Sequence, residues 1–181
     1  MPIEPGTYAL GPQDGTLTVR TARRGAIAKV GHDLLIEVDT WGATVQIGAR
    51  PEEMVVELTA DSNSLRVVDG TGGVKALGDD DRAGIAQTIR EEVLNGTSIA
   101  FRSIAVQDRG EGQLRVQGDL ELAGGINQVA FDLRIGDDGQ VAGAAIVKQT
   151  DWGMTPYTTL FGTLKVADEV AVAIDGRLSA V

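Results

Sequence analysis

Apolar and polar residues exchange places at every second position in run after run of this chain, a period that fits extended strands with one dry and one wet face. The cleanest run sets Leu114, Val116, Gly118, Leu120 and Leu122 against Arg115, Gln117, Asp119 and Glu121. Leu17, Val19 and Thr21 repeat it, as do Leu34, Ile36 and Val38, then Ala43, Val45 and Ile47, then Val56, Leu58 and Ala60. Two later runs, Val129 to Ile135 and Val170 to Leu178, have the same period. Between runs lie Asp14-Gly15, Gly110-Glu-Gly112, Gly124-Gly125 and Asp138-Gly139, the residue types that tight hairpins need for positive φ. Neighbours in sequence are therefore expected to be neighbours in an antiparallel sheet.

One segment departs from the period. From Asp79 to Asn95, Ile85, Ile89 and Val93 recur every fourth position, an α-helical stripe, with Asp79, Asp80 and Asp81 where the helix dipole favours negative charge and Asn95-Gly96 as a left-handed stop. A second, shorter helix is expected from Arg23 to Val30, ended by Gly31. A sheet of eight or more strands with two helical interruptions is better closed into a barrel than left flat, because closure removes exposed edges. The 181 residues contain no Pro/Ser-rich linker, so one all-β domain over residues 1–181 is expected: an antiparallel β-barrel of about eight strands with one long helix and one short one.

The 26 acidic and 16 basic side chains give a net charge of −10, and no basic cluster exceeds Arg23-Arg24, so nucleic acid is not an expected partner. Without cysteine there is no disulfide, thiol nucleophile or cysteine-ligated zinc. No run of ~18 apolar residues occurs, and the amino terminus lacks the basic and apolar regions of a signal peptide, so the chain is expected not to span a membrane and to reside in the cytoplasm.

His32, the single histidine, lies beside Asp33, but no Gly-x-Ser-x-Gly elbow or similar nucleophile context accompanies it, and a structural role outweighs a catalytic one. The stretch Gly70-Thr-Gly-Gly-Val-Lys75 lacks the spacing of a phosphate loop and reads as a loop. Asp79 to Asp81 lack the spacing of a calcium loop and read as a helix start. No catalytic residue, metal or cofactor is expected.

Two adjacent segments are more informative. Val141-Ala-Gly-Ala-Ala-Ile-Val147 is a strand of mostly small residues, which either leaves space inside a barrel or permits strong coiling and close packing. Directly after it come Trp152, Met154, Tyr157 and Phe161, a concentration of bulky groups suited to a core keystone or the mouth of an apolar site.

The order of these features, with Gly6-Thr-Tyr8, Gly31-His-Asp-Leu34, Asn63-Ser-Leu65, Ile99-Ala-Phe-Arg-Ser103, Leu114-x-Val-x-Gly-x-Leu120 and Thr150-Asp-Trp-Gly-Met154, resembles the YceI-like family of lipocalin-like barrels over nearly the whole chain. The Gly-His-Asp-Leu version is similar to a cytoplasmic, actinobacterial branch. The resemblance implies a protein that encloses a long apolar or amphiphilic lipid, a polyisoprenoid or fatty-acid derivative, and performs no chemical step. Trp152, Met154, Tyr157 and Phe161 would then form an aromatic wall or mouth, with Phe101 and Phe131 contributing from strands, and His32 and Asp33 would meet a polar head group. The alternative is a module with a fully packed interior that acts through its acidic surface or a homodimer interface; a hydrolase or isomerase using His32 ranks third.

Overall fold

The computed structural model describes residues 4–159 and 163–181. Twelve strand segments form its main sheet, all paired antiparallel. They are β1 (Gly6–Leu10), β2 (Gly15–Arg20), β4 (His32–Val38), β5 (Trp41–Ile47), β6 (Val55–Asp61), β7 (Leu65–Gly72), β8 (Ser98–Gly110), β9 (Gln113–Leu122), β10 (Gly125–Ile135), β11 (Gln140–Lys148), β14 (Glu169–Arg177) and β15 (Ser179–Ala180).

Several of these segments are halves of one longer strand. β1 pairs with β5 while β2 pairs with β4, and β5 pairs with β6 while β4 pairs with β7. Thus β1–β2, β4–β5 and β6–β7 are three bent strands, broken at the Asp14 turn, at Asp39 and at Ser62–Ser64. β14 pairs with β2 and its continuation β15 with β1, so the pairing runs full circle through eight long runs. The expected barrel of about eight strands is present, and its strands are mostly neighbours in chain order.

Alternation places one parity inward along each strand segment, and that parity switches where β1–β2, β4–β5 and β6–β7 break. Leu17, Val19 and Thr21, then Leu34, Ile36 and Val38, then Val56, Leu58 and Ala60 all face the interior space. On the outer face of β4–β7, Arg66 bonds Glu37 at 2.6 Å and Asp39 at 3.1 Å, an ion pair that matches the register Glu37↔Arg66. Gly110, Gly112, Gly124 and Gly139 have φ between 74° and 85°, as their hairpins require. Gly15 differs: it is a strand residue, and a Cβ there would lie 2.9 Å from the Cα of Gly176, so close strand approach rather than a turn explains the glycine.

The helix is present in two parts. Helix α1 (Asp79–Thr88) begins with the three aspartates, and Asp81 accepts a bond from the Gly78 amide at 3.0 Å. A wide π turn, Ile89–Val93, follows, closed by the Leu94 amide on the Ile89 carbonyl at 2.9 Å. A four-residue spacing overshoots a 3.6-residue turn, so an unbroken α-helix would rotate Val93 away from Ile85; the wider turn brings it back, and all three residues face the interior. Asn95 and Gly96, with φ of 53° and 65°, end the helix.

The short helix expected from Arg23 to Val30 does not form. Gly25 has φ 109°, a conformation no helix passes through, and a Cβ added there would collide with the Thr163 carbonyl. In its place are the two-residue strand β3 (Arg23–Arg24) and a single 3-10 turn, Ala28–Val30. Strand β3 pairs with β13 (Leu164–Val166), which pairs with β12 (Thr158–Thr159), giving a small three-stranded sheet.

Candidate functional site

A cavity of about 870 Å³ occupies the barrel interior, within the size range of small-molecule pockets. Its walls are apolar over most of their length, from Leu10, Leu17 and Leu178 at depth to Ile85, Ile89 and Leu77 under the helix. The small-residue strand is part of this wall: Val141, Gly143, Ala145 and Val147 all line it. Gly143 serves packing as well, because an added Cβ would meet Leu133 Cδ1 at 2.9 Å. The two readings of that strand are compatible, since the glycine admits its neighbours and the alanines leave the space.

Phe101 and Phe131 form a tilted aromatic pair on the wall, with centroids 5.4 Å apart and planes at 60°. The pair depends on Gly118, where a Cβ would lie 2.6 Å from the Phe101 ring. Leu114-x-Val-x-Gly-x-Leu120 thus has its glycine where a ring lies flat on the next strand.

Polar side chains collect at one end, where the cavity reaches exposed residues of the loop before α1 and of the small sheet. His32, half-buried at the start of β4, donates from Nε2 to the Lys75 carbonyl at 2.7 Å; a carbonyl can only accept, so this bond commits the Nε2 proton. Arg23 crosses the same end. Its Nη1 donates to the carbonyls of Gly31 at 2.6 Å and Thr71 at 3.3 Å, while Asp33 accepts from the Arg23 amide at 2.7 Å. Lys75, Lys165, Asp80, Asp81 and the buried Gln149 complete this end, with Gln149 Nε2 donating to the Ala167 carbonyl at 3.0 Å.

Of the residues singled out from the sequence, His32, Phe101, Phe131, Met154 and Tyr157 come together on the cavity wall. Asp33 and Trp152 lie one layer out. Asp33 holds Arg23, and Trp152 is buried with Nε1 donating to the Leu120 carbonyl at 2.7 Å. Phe161 lies outside the described residues. The turn Gln149–Trp152 explains the Thr-Asp-Trp-Gly-Met segment: the Thr150 amide and hydroxyl bond the two Asp168 carboxylate oxygens at 2.9 and 2.6 Å, and Gly153 closes the turn at φ 71°. These bonds hold the Asp168 carboxyl below the usual aspartate range, the Thr150 hydroxyl contributing most.

Arg23, Gln149, Lys75 and Lys165 were not singled out from the sequence as site residues. For two of them a signal existed. Arg23 continues the inward row 17, 19, 21, and Gln149 continues the row 141, 143, 145, 147. Among the described residues no three His, Asp or Glu side chains converge into a metal-binding group, and no helix is long and apolar enough to cross a membrane.

A closed antiparallel barrel with an apolar interior and a polar rim at one end is a lipocalin-like architecture. The YceI-like domain matches residues 8–178, and the chain belongs to that family. Its fold is shared with Burkholderia cenocepacia BcnA, at TM-score 0.65 and 17% identity over 91% of this chain and 96% of that one. It is similar also to a polyisoprenoid binding domain from Saccharophagus degradans, implicated in plant cell wall breakdown, at TM-score 0.59 and 9% identity over 98% and 100% of the two chains. A Campylobacter jejuni YceI protein matches at TM-score 0.56 and 12% identity over 81% and 84%. No curated protein sequence matches this chain.

Proposed function

We propose that this protein binds one long apolar or amphiphilic lipid, of the polyisoprenoid or fatty-acid-derivative class, inside its barrel without transforming it. The observation that carries this reading is the cavity of about 870 Å³ with its polar groups confined to one end. Such a division suits a molecule with an apolar tail and a single polar head. The tail would lie along Phe101, Phe131 and the Val141–Val147 strand, and the head would meet His32, Arg23 and Lys75, beside Met154 and Tyr157. Burial of the tail supplies the driving force, at ~25 cal/mol per Å² of apolar area before ordering costs.

The likeness to a polyisoprenoid binding domain supports the ligand class. Two features support binding without chemistry: the Nε2 proton of His32 is committed to a backbone carbonyl, and no serine is among the lining residues. A cavity of this size counts against the alternative of a fully packed interior.

Mass spectrometry of organic extracts from gently purified protein tests the proposal. An isoprenoid or acyl lipid in stoichiometric amount is expected. If none is recovered, and isoprenoids and fatty amides in excess leave the melting temperature unchanged, the reading fails, because a ligand of the native state must stabilise it.

A further inference from the structure

The charge of the chain is unevenly spread. Residues 15–32 and 152–167 carry Arg20, Arg23, Arg24, Lys29 and Lys165, five of the 16 basic side chains, and none of the 26 acidic ones. The small sheet of β3, β12 and β13 brings these two segments together at the polar end of the cavity. An acidic protein therefore has a basic flap at its mouth.

Four of these cations lie outside any ion pair among the described residues: Arg20, exposed at the end of β2 in the main sheet, and three in the flap itself. Arg24, Lys29 and Lys165 are exposed, and none is ion-paired among the described residues. Arg24 and Lys165 are also directly opposite in the β3–β13 pairing, where like charges repel. That repulsion is relieved by an anionic surface. Arg23 is engaged by Asp33, and Lys75 faces Asp81 at 4.0 Å across the mouth, so neither adds to the set.

Exposed apolar side chains lie in the same flap. Ile27 and Val30, 38% and 39% exposed, flank Lys29, and Tyr157, 38% exposed, precedes β12. Val74, 82% exposed, projects from the loop after β7, which touches the flap where the Thr71 carbonyl accepts from Arg23. Cations interleaved with apolar groups match the interface of an anionic bilayer, where the charges meet head groups and the apolar groups enter the acyl boundary.

We propose that this flap docks the protein on the surface of an anionic phospholipid bilayer, presenting the cavity mouth to the membrane. The proposal deepens the lipid-binding reading and rests on it. Co-sedimentation of the full chain with vesicles of mixed phosphatidylglycerol and phosphatidylcholine, against pure phosphatidylcholine, provides the test. Binding is expected to the anionic vesicles alone, and to fall as salt screens it. The variant Arg24→Gln/Lys29→Gln/Lys165→Gln should lose on the order of a hundredfold in affinity, from roughly fivefold per cation near the surface. A control with Arg109→Gln/Arg115→Gln/Arg134→Gln removes the same charge from strands β8, β9 and β10 and should lose far less.

Equal binding to both vesicle types, no binding to either, or equal losses in the two triple variants would overturn the proposal. If the flap variant melts early, Lys29→Gln alone, on the exposed turn outside the sheet pairing, should still lose about fivefold, and no loss would be decisive against docking. Extraction reads the cavity separately. Docking without a recovered lipid refutes the carrier reading, and a lipid-loaded protein that ignores anionic vesicles refutes docking alone.

Discussion

The two ends of the barrel are made of the same strands and behave oppositely. β9 starts with Leu114 and Val116, which have no exposed surface, and ends with Leu120 and Leu122, which face the cavity. β10 reverses this order, running from Val129 and Phe131 on the cavity to the fully buried Ile135. Ile47 and Val106 are likewise buried without touching the cavity, although Val45 and Phe101 on the same strands line it. One end is a packed core that holds the fold, and the other is a wall around space. The periodicity is identical at both ends; side-chain volume and the presence of small residues opposite decide which is which.

Truncation should expose this difference most strongly. Leu114→Ala at the packed end is expected to cost ~3 kcal/mol, the usual range for a buried leucine being ~2–5 kcal/mol, since it removes contacts and leaves a new void. Leu34→Ala on the cavity wall should cost about 1 kcal/mol, because the leucine already borders open space and creates no new enclosed cavity. Urea denaturation of both variants checks the pair. Equal costs would mean that the mouth end is packed as tightly as the other and that the comparison is wrong.

Trp152 ties the two regimes together. It stands one layer outside the cavity, and its indole N–H is a bond partner of the Leu120 carbonyl on the strand that carries both regimes. Trp152→Phe keeps most of the bulk and removes that bond, an expected loss of ~1 kcal/mol. Lipid recovered per chain should not change, because the ring does not line the cavity. A variant that is stable but empty would place the tryptophan against the ligand instead.

The interior itself is tested by filling. Ala145 faces the cavity from β11, so Ala145→Phe adds volume where nothing must move. Thermal stability should stay within ~1 kcal/mol of the parent, while lipid uptake, measured by extraction, should fall about tenfold, or ~1.4 kcal/mol of binding. Undiminished uptake would show that the ligand lies elsewhere.

Much of this was legible in the sequence for a definite reason. Period-two alternation is a local signal, so strand existence and the barrel followed from it, and the helix stripe of Ile85, Ile89 and Val93 was equally local, whereas which parity faces inward is set by the closed sheet. Joining β1 to β2 or β4 to β5 was not legible, because each break keeps the direction of the strand while looking like a turn. The helix expected at Arg23 to Val30 failed at Gly25, whose φ is positive and where an added Cβ would collide with a residue 138 positions away, at the Thr163 carbonyl. The polar end was readable one step beyond where the apolar rows stop: 21 to 23, 34 to 32 and 147 to 149 each end on a polar residue that faces the cavity. Lys75 and Lys165 gave no such sign, since the one lies in a loop and the other in a strand whose pairing is set from afar.

The smallest effect concerns the turn that carries Trp152 and Met154. Asp168 anchors it by accepting from the Thr150 hydroxyl and amide, and these bonds lower its pKa below that of an aspartate in the unfolded chain. A carboxyl with a depressed folded-state pKa contributes stability that is fully present above the unfolded-state value and is lost as pH falls through the folded-state value. The contribution is therefore intact near neutrality and disappears only in the acid range below the usual aspartate value. Asp168→Asn should flatten that part of the stability-versus-pH curve, and the amide can still accept from Thr150 on one oxygen. Since the group is exposed to solvent, the change should be small and confined to hydrogen exchange at Thr150, Gly153 and Met154, leaving the packed end at Leu114 and Ile135 untouched. Loss of protection spreading to the packed end would show instead that the mouth turn and the core unfold as one unit.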